Sequence, residues 1–133
     1  MKFNQIPKHK KEILREKSTK YCVIVPVINE SERIQTQLKK MKNISKDIDI
    51  IIADGGSTDG SLELEFLKNC NVRALLIKQD KGKLSAQLRM AYKFALDEGY
   101  EGIVTVDGNG KDSVESIYEF IKRLDDGYDM IKF

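Results

Sequence analysis

Histidine, cysteine and proline are scarce in this chain of 133 residues, which has one His, two Cys and two Pro. His9 stands alone, and Cys22 and Cys70 lie far apart in sequence. No His/Cys cluster is spaced for zinc, and no disulfide framework is implied. Both cysteines sit in or beside apolar segments and read as reduced core thiols of a cytosolic protein. No Pro/Gly/Ser-rich linker divides the chain. Its length suffices for one domain with a real core. Long apolar runs are missing too, and none approaches the roughly 20 residues of a membrane-spanning helix. No apolar stretch follows the early charges as it would in a secretory signal. The net charge of only +2 argues against a nucleic-acid partner.

The charge that is present is uneven. Residues 1–20 carry Lys2, Lys8, Lys10, Lys11, Arg15, Lys17 and Lys20 against Glu12 and Glu16, a net of +5 that leaves −3 on the rest. This basic N-terminal arm is expected to be a solvated leader or a short exposed helix. The sharper reading is an electrostatic contact with anionic lipid at the inner face of a membrane, or with a partner.

From residue 21 onward, apolar runs alternate with helical patterns. Strands are expected at Tyr21–Val27, Ile48–Ala53, Val72–Ile77, Gly102–Val106 and Tyr128–Ile131. Asn29 reads as a helix cap, with Glu32 completing a capping box, and Ile34, Leu38 and Met41 form the stripe behind it. A shorter helix is expected after Asp59, with Leu62 and Phe66 on one face. Leu84, Leu88, Ala91 and Ala95 mark the next, which Gly99 ends. Val114, Ile117, Ile121 and Leu124 mark the last, which Gly127 ends. This alternation predicts an α/β fold: a mostly parallel sheet with helices on both faces, occupying residues 21–133.

The strand ends carry polar residues that strands do not need. They are Pro26-Val27-Ile28-Asn29-Glu30, Asp54-Gly55-Gly56-Ser57, Lys78-Gln79-Asp80-Lys81-Gly82-Lys83 and Asp107-Gly108-Asn109-Gly110-Lys111-Asp112. In a parallel sheet all of these reach one edge, where such folds bind ligands. Acids, lysines and helix N-termini together suit a nucleotide diphosphate, and an Asp/Asn pair suits a hard divalent cation. Singly, each residue has a plainer role: Asp59 as a turn or cap residue, Gly55 and Gly56 as turn residues, Lys81 and Lys83 as solvated charges. It is their convergence that favours a site. Gly82-Lys83 lacks the upstream glycine of a P-loop, and neither a G-x-G-x-x-G after the first strand nor a G-x-S-x-G elbow occurs.

These motifs resemble those of the inverting family-2 glycosyltransferases of GT-A fold. Pro26-Val27-Ile28-Asn29-Glu30 resembles their opening P-x-x-N-E turn, and Asp54-Gly55-Gly56-Ser57-Thr58-Asp59-Gly60 resembles their acidic Gly-Ser turn. Gly82-Lys83 with Ala86, Leu88 and Arg89 is similar to their Gly-Lys helix start. Asp107-Gly108-Asn109 falls where they carry a D-x-D metal motif. The resemblance covers about residues 21–131 and implies a Rossmann-like nucleotide-sugar-binding half. It implies that Pro26, Asn29 and Glu30 line a nucleoside pocket and that Asp54 meets the donor's base. Gly56, Lys83, Asp107 and Gly108 would complete the donor site. Asp107 and Asn109 would hold Mg²⁺ or Mn²⁺. The donor would be a UDP- or GDP-linked sugar, and the acceptor a lipid phosphate or a saccharide.

Two departures from the family pattern stand out. Asn109 replaces the second metal-motif acid, so Asp112 is a candidate helper. The family's acceptor half, with its catalytic base, would follow the fifth strand, whereas this sequence ends at Phe133. The chain is therefore expected to carry the donor half of a transferase. The alternatives are a non-catalytic nucleotide-sugar-binding module and a receiver-type signalling domain. Asn29-Glu30 and Lys78 stand where a receiver wants its acids, and only Lys132 favours that reading.

Overall fold

The computed structural model describes residues 6–80, 84–108, 114–127 and 130–132. Its strands are β1 (His9–Ile13), β2 (Tyr21–Val27), β3 (Asp49–Asp54), β4 (Ala74–Lys78), β5 (Gly102–Thr105) and β6 (Met130–Lys132). Its helices are α1 (Glu32–Met41), α2 (Leu64–Asn69), α3 (Leu84–Asp97) and α4 (Val114–Asp125). The strands form one sheet in the order β1-β4-β3-β2-β5-β6. Every pairing is parallel except that of β1, which runs antiparallel to β4.

Strands β2 and β3 are buried along their whole lengths because both sheet faces are covered, which explains their unbroken apolar runs. Alternate residues feed two cores. Val23, Val25, Val27, Ile50, Ile52 and Val104 pack with Ile34 and Leu38 of α1, Leu67 of α2 and Ile117 and Leu124 of α4. Cys22, Ile24, Ile51, Ala53 and Leu76 pack with Met90, Ala91, Phe94 and Ala95 of α3. Helices thus lie on both faces, as expected. Cys22 and Cys70 are buried free thiols, and burial pushes both thiols up from their ordinary pKa.

The sequence places three features differently. Leu84, expected in the α3 stripe, is exposed, and Gln87 is buried in its stead. Asn29 does not cap α1. Ser31 occupies the N-cap position with no side-chain cap bond. The helix after Asp59 starts only at Leu64, although Leu62 and Phe66 do pack against the same core.

The basic arm departs furthest from expectation. Within it, residues 9–13 are neither leader nor helix but the edge strand β1, in register His9↔Lys78 to Ile13↔Ala74. Lysines on an edge strand discourage further strands from pairing there. Arg15, Ser18 and Thr19 are then tied down by Asp49, the fully buried first residue of β3. Its Oδ1 accepts from Arg15 Nη1 and Ser18 Oγ, both at 2.8 Å. Its Oδ2 accepts from the Ser18 amide at 3.0 Å, the Thr19 amide at 3.3 Å and the Tyr100 hydroxyl at 2.7 Å. Arg73 continues the network by donating to the Tyr100 hydroxyl and the Glu98 carboxylate. Burial alone would raise the Asp49 carboxyl, but these donors outweigh it and hold the group below its usual value.

Candidate functional site

Strands β2, β3 and β4 succeed one another toward one side of the sheet, and β5 and β6 lie on the other. The order therefore reverses between β2 and β5. In open α/β sheets, ligands bind at the strand C-terminal ends beside such a reversal.

Pro26 helps to open this crevice. Ile24 accepts the Val106 amide on the β5 side, and Pro26, two residues on, faces the same way. The β2–β5 ladder has already ended at Ile24↔Thr105. A proline there forfeits no sheet hydrogen bond. Its carbonyl lies against Gly108, where an added Cβ would stand 3.1 Å from Pro26 O and 3.0 Å from Val27 Cγ2. Gly108 is glycine because the two strand ends approach this closely. Asp107, beside it, is exposed and makes no hydrogen bond or ion pair among the described residues.

The loops after β2 and β3 are zipped together. The Asn29 amide donates to Ser57 Oγ at 2.9 Å, and Asn29 Oδ1 accepts the Thr58 amide at 2.8 Å. Asp59 Oδ2 accepts the Ser31 amide and hydroxyl, while its Oδ1 accepts those of Ser61. Hydrogen bonds from Ser61, then Ser31, bring the Asp59 carboxyl down to about 2. Asp59 thus serves as a turn residue through its bond to the Ser61 amide, and in addition reaches across to Ser31. It holds Ser31 at φ 50°, ψ −125°, a conformation that side chains rarely adopt. Asn29, at φ 47°, is held by the same zipper.

Asp54 ends β3 and is buried. Its Oδ1 accepts the Gly56 amide at 3.2 Å, the Ser57 amide at 2.9 Å and Ser57 Oγ at 2.7 Å. Its Oδ2 makes no hydrogen bond among the described residues. One oxygen folds the turn. Glu30 is half-buried. Its Oε2 lies 3.1 Å from Arg33 Nη2, without an aligned hydrogen bond.

One positioning residue escaped the sequence reading. Gln87 Nε2 donates to Val27 O and to Ala53 O, both at 3.1 Å, and so stitches the ends of β2 and β3 together. A Cβ on Gly55 would stand 2.9 Å from Gln87 Cδ, so Gly55 is bare to admit this amide. The only sequence signal was a polar residue on the apolar side of a helix. Replacing Gln87 with leucine is expected to cost about 1–3 kcal/mol, because buried carbonyls lose a donor. Urea denaturation checks this.

Of the expected site residues, Pro26, Asn29, Glu30, Asp54, Gly56, Asp107 and Gly108 lie on loops or strand ends along this edge. Lys83, Asn109 and Asp112 lie outside the described residues. Among the described residues no group of three His, Cys, Asp or Glu is gathered for a metal. A separate groove, lined by Lys20, Tyr21, Asp47, Tyr118, Ile121 and Asp125, lies near the opposite edge. Its acids are already engaged, Asp125 by Tyr21 and Lys20 and Asp47 by Tyr118.

An open, mostly parallel α/β sheet with acidic residues near its strand-order reversal defines a domain of the Rossmann-like class. Comparison with known proteins narrows this. Residues 22–133 match the family described as glycosyl transferase family 2, and the chain belongs to that family. It is 26% identical over 124 aligned residues to the undecaprenyl-phosphate 4-deoxy-4-formamido-L-arabinose transferase of Proteus mirabilis (strain HI4320), covering 87% of this chain. The chain spans 37% of the length of that relative. No solved structure gives a significant match.

Proposed function

We propose that this chain binds the nucleotide-diphosphate part of a sugar donor at the β2–β5 crevice, as the donor half of an inverting glycosyltransferase. The observation that carries this reading is the pairing, within a family-2 domain, of Asp54, whose Oδ2 makes no hydrogen bond among the described residues, with Asp107, which is exposed beside the reversal. In this reading, Asp54 Oδ2 accepts a base N–H. Pro26, Asn29 and Glu30 form the nucleoside wall, and Gly56 and Gly108 let the ligand approach the backbone. Lys83 meets the phosphates.

A divalent cation fits the donor chemistry of Asp107, an exposed carboxylate with no hydrogen bond or ion pair among the described residues. One such oxygen, with diphosphate oxygens and water, is a usual Mg²⁺ or Mn²⁺ environment. Asp107 and Asn109 are its proposed ligands. When bound, it would offset the charge that gathers on the leaving diphosphate. The acceptor in this proposal is a lipid phosphate, the class to which the undecaprenyl phosphate in the Proteus relative's name belongs. Among the described residues, no helix is long and apolar enough to cross a membrane. Contact with an anionic membrane surface falls in this proposal to the basic N-terminal residues.

Calorimetric titration with UDP and with GDP, each with and without Mn²⁺, tests the reading. Binding of one nucleotide, tightened by Mn²⁺, is the expected result. Binding of neither would sink the donor-site assignment.

A further inference from the structure

Gln87 is 5% exposed, yet only one end of its amide is paired. Nε2 commits its N–H groups to Val27 O and Ala53 O. These two carbonyls fix which end of the amide is nitrogen, because a flipped group would set oxygen against oxygen. Oε1 therefore faces away from them, and it makes no hydrogen bond among the described residues. A buried acceptor is ordinarily satisfied, so an exception calls for a reason. The oxygen lies beside Gly55, where an added Cβ would stand 3.0 Å from it. Gly55 follows Asp54, whose Oδ2 likewise makes no hydrogen bond among the described residues. Two acceptors, one carboxylate and one amide, thus flank a single glycine of the turn after β3.

A pair of acceptors selects a ligand with a pair of donors. We propose that Asp54 Oδ2 and Gln87 Oε1 together read the base of the sugar donor, and that this base is guanine. The proposal rests on the donor-site reading above and narrows its choice of nucleotide. Guanine presents two N–H groups side by side on its pairing edge, the ring N1–H and the 2-amino group. Asp54 takes N1–H and Gln87 takes the amino group. A side chain at Gly55 would fill the space over the Gln87 amide that the base edge needs. Uracil has one ring N–H with a carbonyl on each side, so Gln87 Oε1 would face a second acceptor. The amide cannot turn over to suit uracil, because Val27 and Ala53 hold Nε2. Cytosine and adenine set a ring acceptor beside their amino groups and fail for the same reason.

Calorimetric titration of the parent chain with GDP, IDP and UDP tests this, because IDP is GDP without the 2-amino group. GDP is expected to bind roughly five- to tenfold more tightly than IDP, the effect of one neutral hydrogen bond. UDP should bind more weakly than IDP, since it replaces a missing donor with an opposing acceptor. In Gln87→Met, which keeps the length but not the acceptor, GDP and IDP should bind within about twofold of each other. Gly55→Ala, whose Cβ would displace the amide, should level them too. A variant that merely loosens the fold weakens GDP and IDP alike, so their ratio reports contact with the amino group. Equal binding of GDP and IDP by the parent overturns the proposal and leaves the donor site standing, as does a preference for UDP. A GDP/IDP ratio that survives Gln87→Met also overturns it, because the amino group is then read elsewhere. Binding of none of the three removes the donor-site reading and the proposal together.

Discussion

Asp49→Ala is expected to lower the free energy of unfolding by about 3–5 kcal/mol, as breaking a buried ion pair from one side does. Asp49 has no exposed surface and accepts five hydrogen bonds, from Arg15, Ser18, Thr19 and Tyr100. Alanine leaves the Tyr100 hydroxyl without its acceptor and the Arg15 guanidinium without its counter-charge. Among the described residues, Arg15 Nη2 and Arg73 Nε are already buried without partners. The loss also frees residues 15–19, which should become open to limited proteolysis. The pH dependence carries a sign that can be checked. The Asp49 carboxyl lies below its usual value in the folded state. Its contribution is therefore complete above the unfolded carboxylate pKa, near 3.9, and fades as pH falls through that range toward the folded value. The acid limb of the stability curve should be flatter in the variant. Burial, then the bond to Asp49, raises the Tyr100 hydroxyl. Its contribution is complete below about pH 10 and fades above it, and because burial remains in the variant the alkaline limb should keep that decline. A loss under about 1 kcal/mol, measured by denaturant titration at neutral pH, would place this network among contacts of surface strength.

The contrast between Asp49 and Asp54 shows what the sequence makes legible. Asp54 follows a branched apolar run and precedes two glycines, so its place at a strand end can be read locally. Asp49 precedes the same run, but its partners Arg15, Ser18 and Tyr100 are long-range and carry no local signature. The arm was misread for that reason. Lys10 and Lys11 look like solvated charge, and only pairing with β4 turns them into a strand. Periodicity found α1 and α4 because each has one apolar stripe. It misplaced part of α3, where the site needs an amide at Gln87 and leaves Leu84 in water. The capping box at Asn29 was plausible chemistry that a tertiary demand overrode, since Asn29 bonds across to Ser57 and Thr58. What the sequence concealed is therefore the machinery that joins one loop to another.

That machinery makes Asp54→Asn a sharper probe of the site than alanine. Alanine would remove the acceptor of the Gly56 and Ser57 donors and collapse the turn, so lost binding would say little about ligand contact. Asparagine can keep Oδ1 facing those donors, which are three in number. The change then falls on the other oxygen, which becomes an NH₂ group and confronts a base N–H with a second donor. In the proposed site, the variant exchanges a charge-assisted bond for a donor–donor clash. Affinity for the preferred nucleoside diphosphate should fall about 10- to 100-fold, the range for losing a hydrogen bond to a charged group. The melting temperature should move little, since the turn's own bonds survive. The preference between UDP and GDP should also narrow, because recognition of the base is what has been lost, while the phosphate contacts remain. Parent-like affinity in Asp54→Asn would show that the carboxylate serves the turn alone. The base would then have to be read elsewhere on the edge, with the Glu30 carboxylate the next group to test.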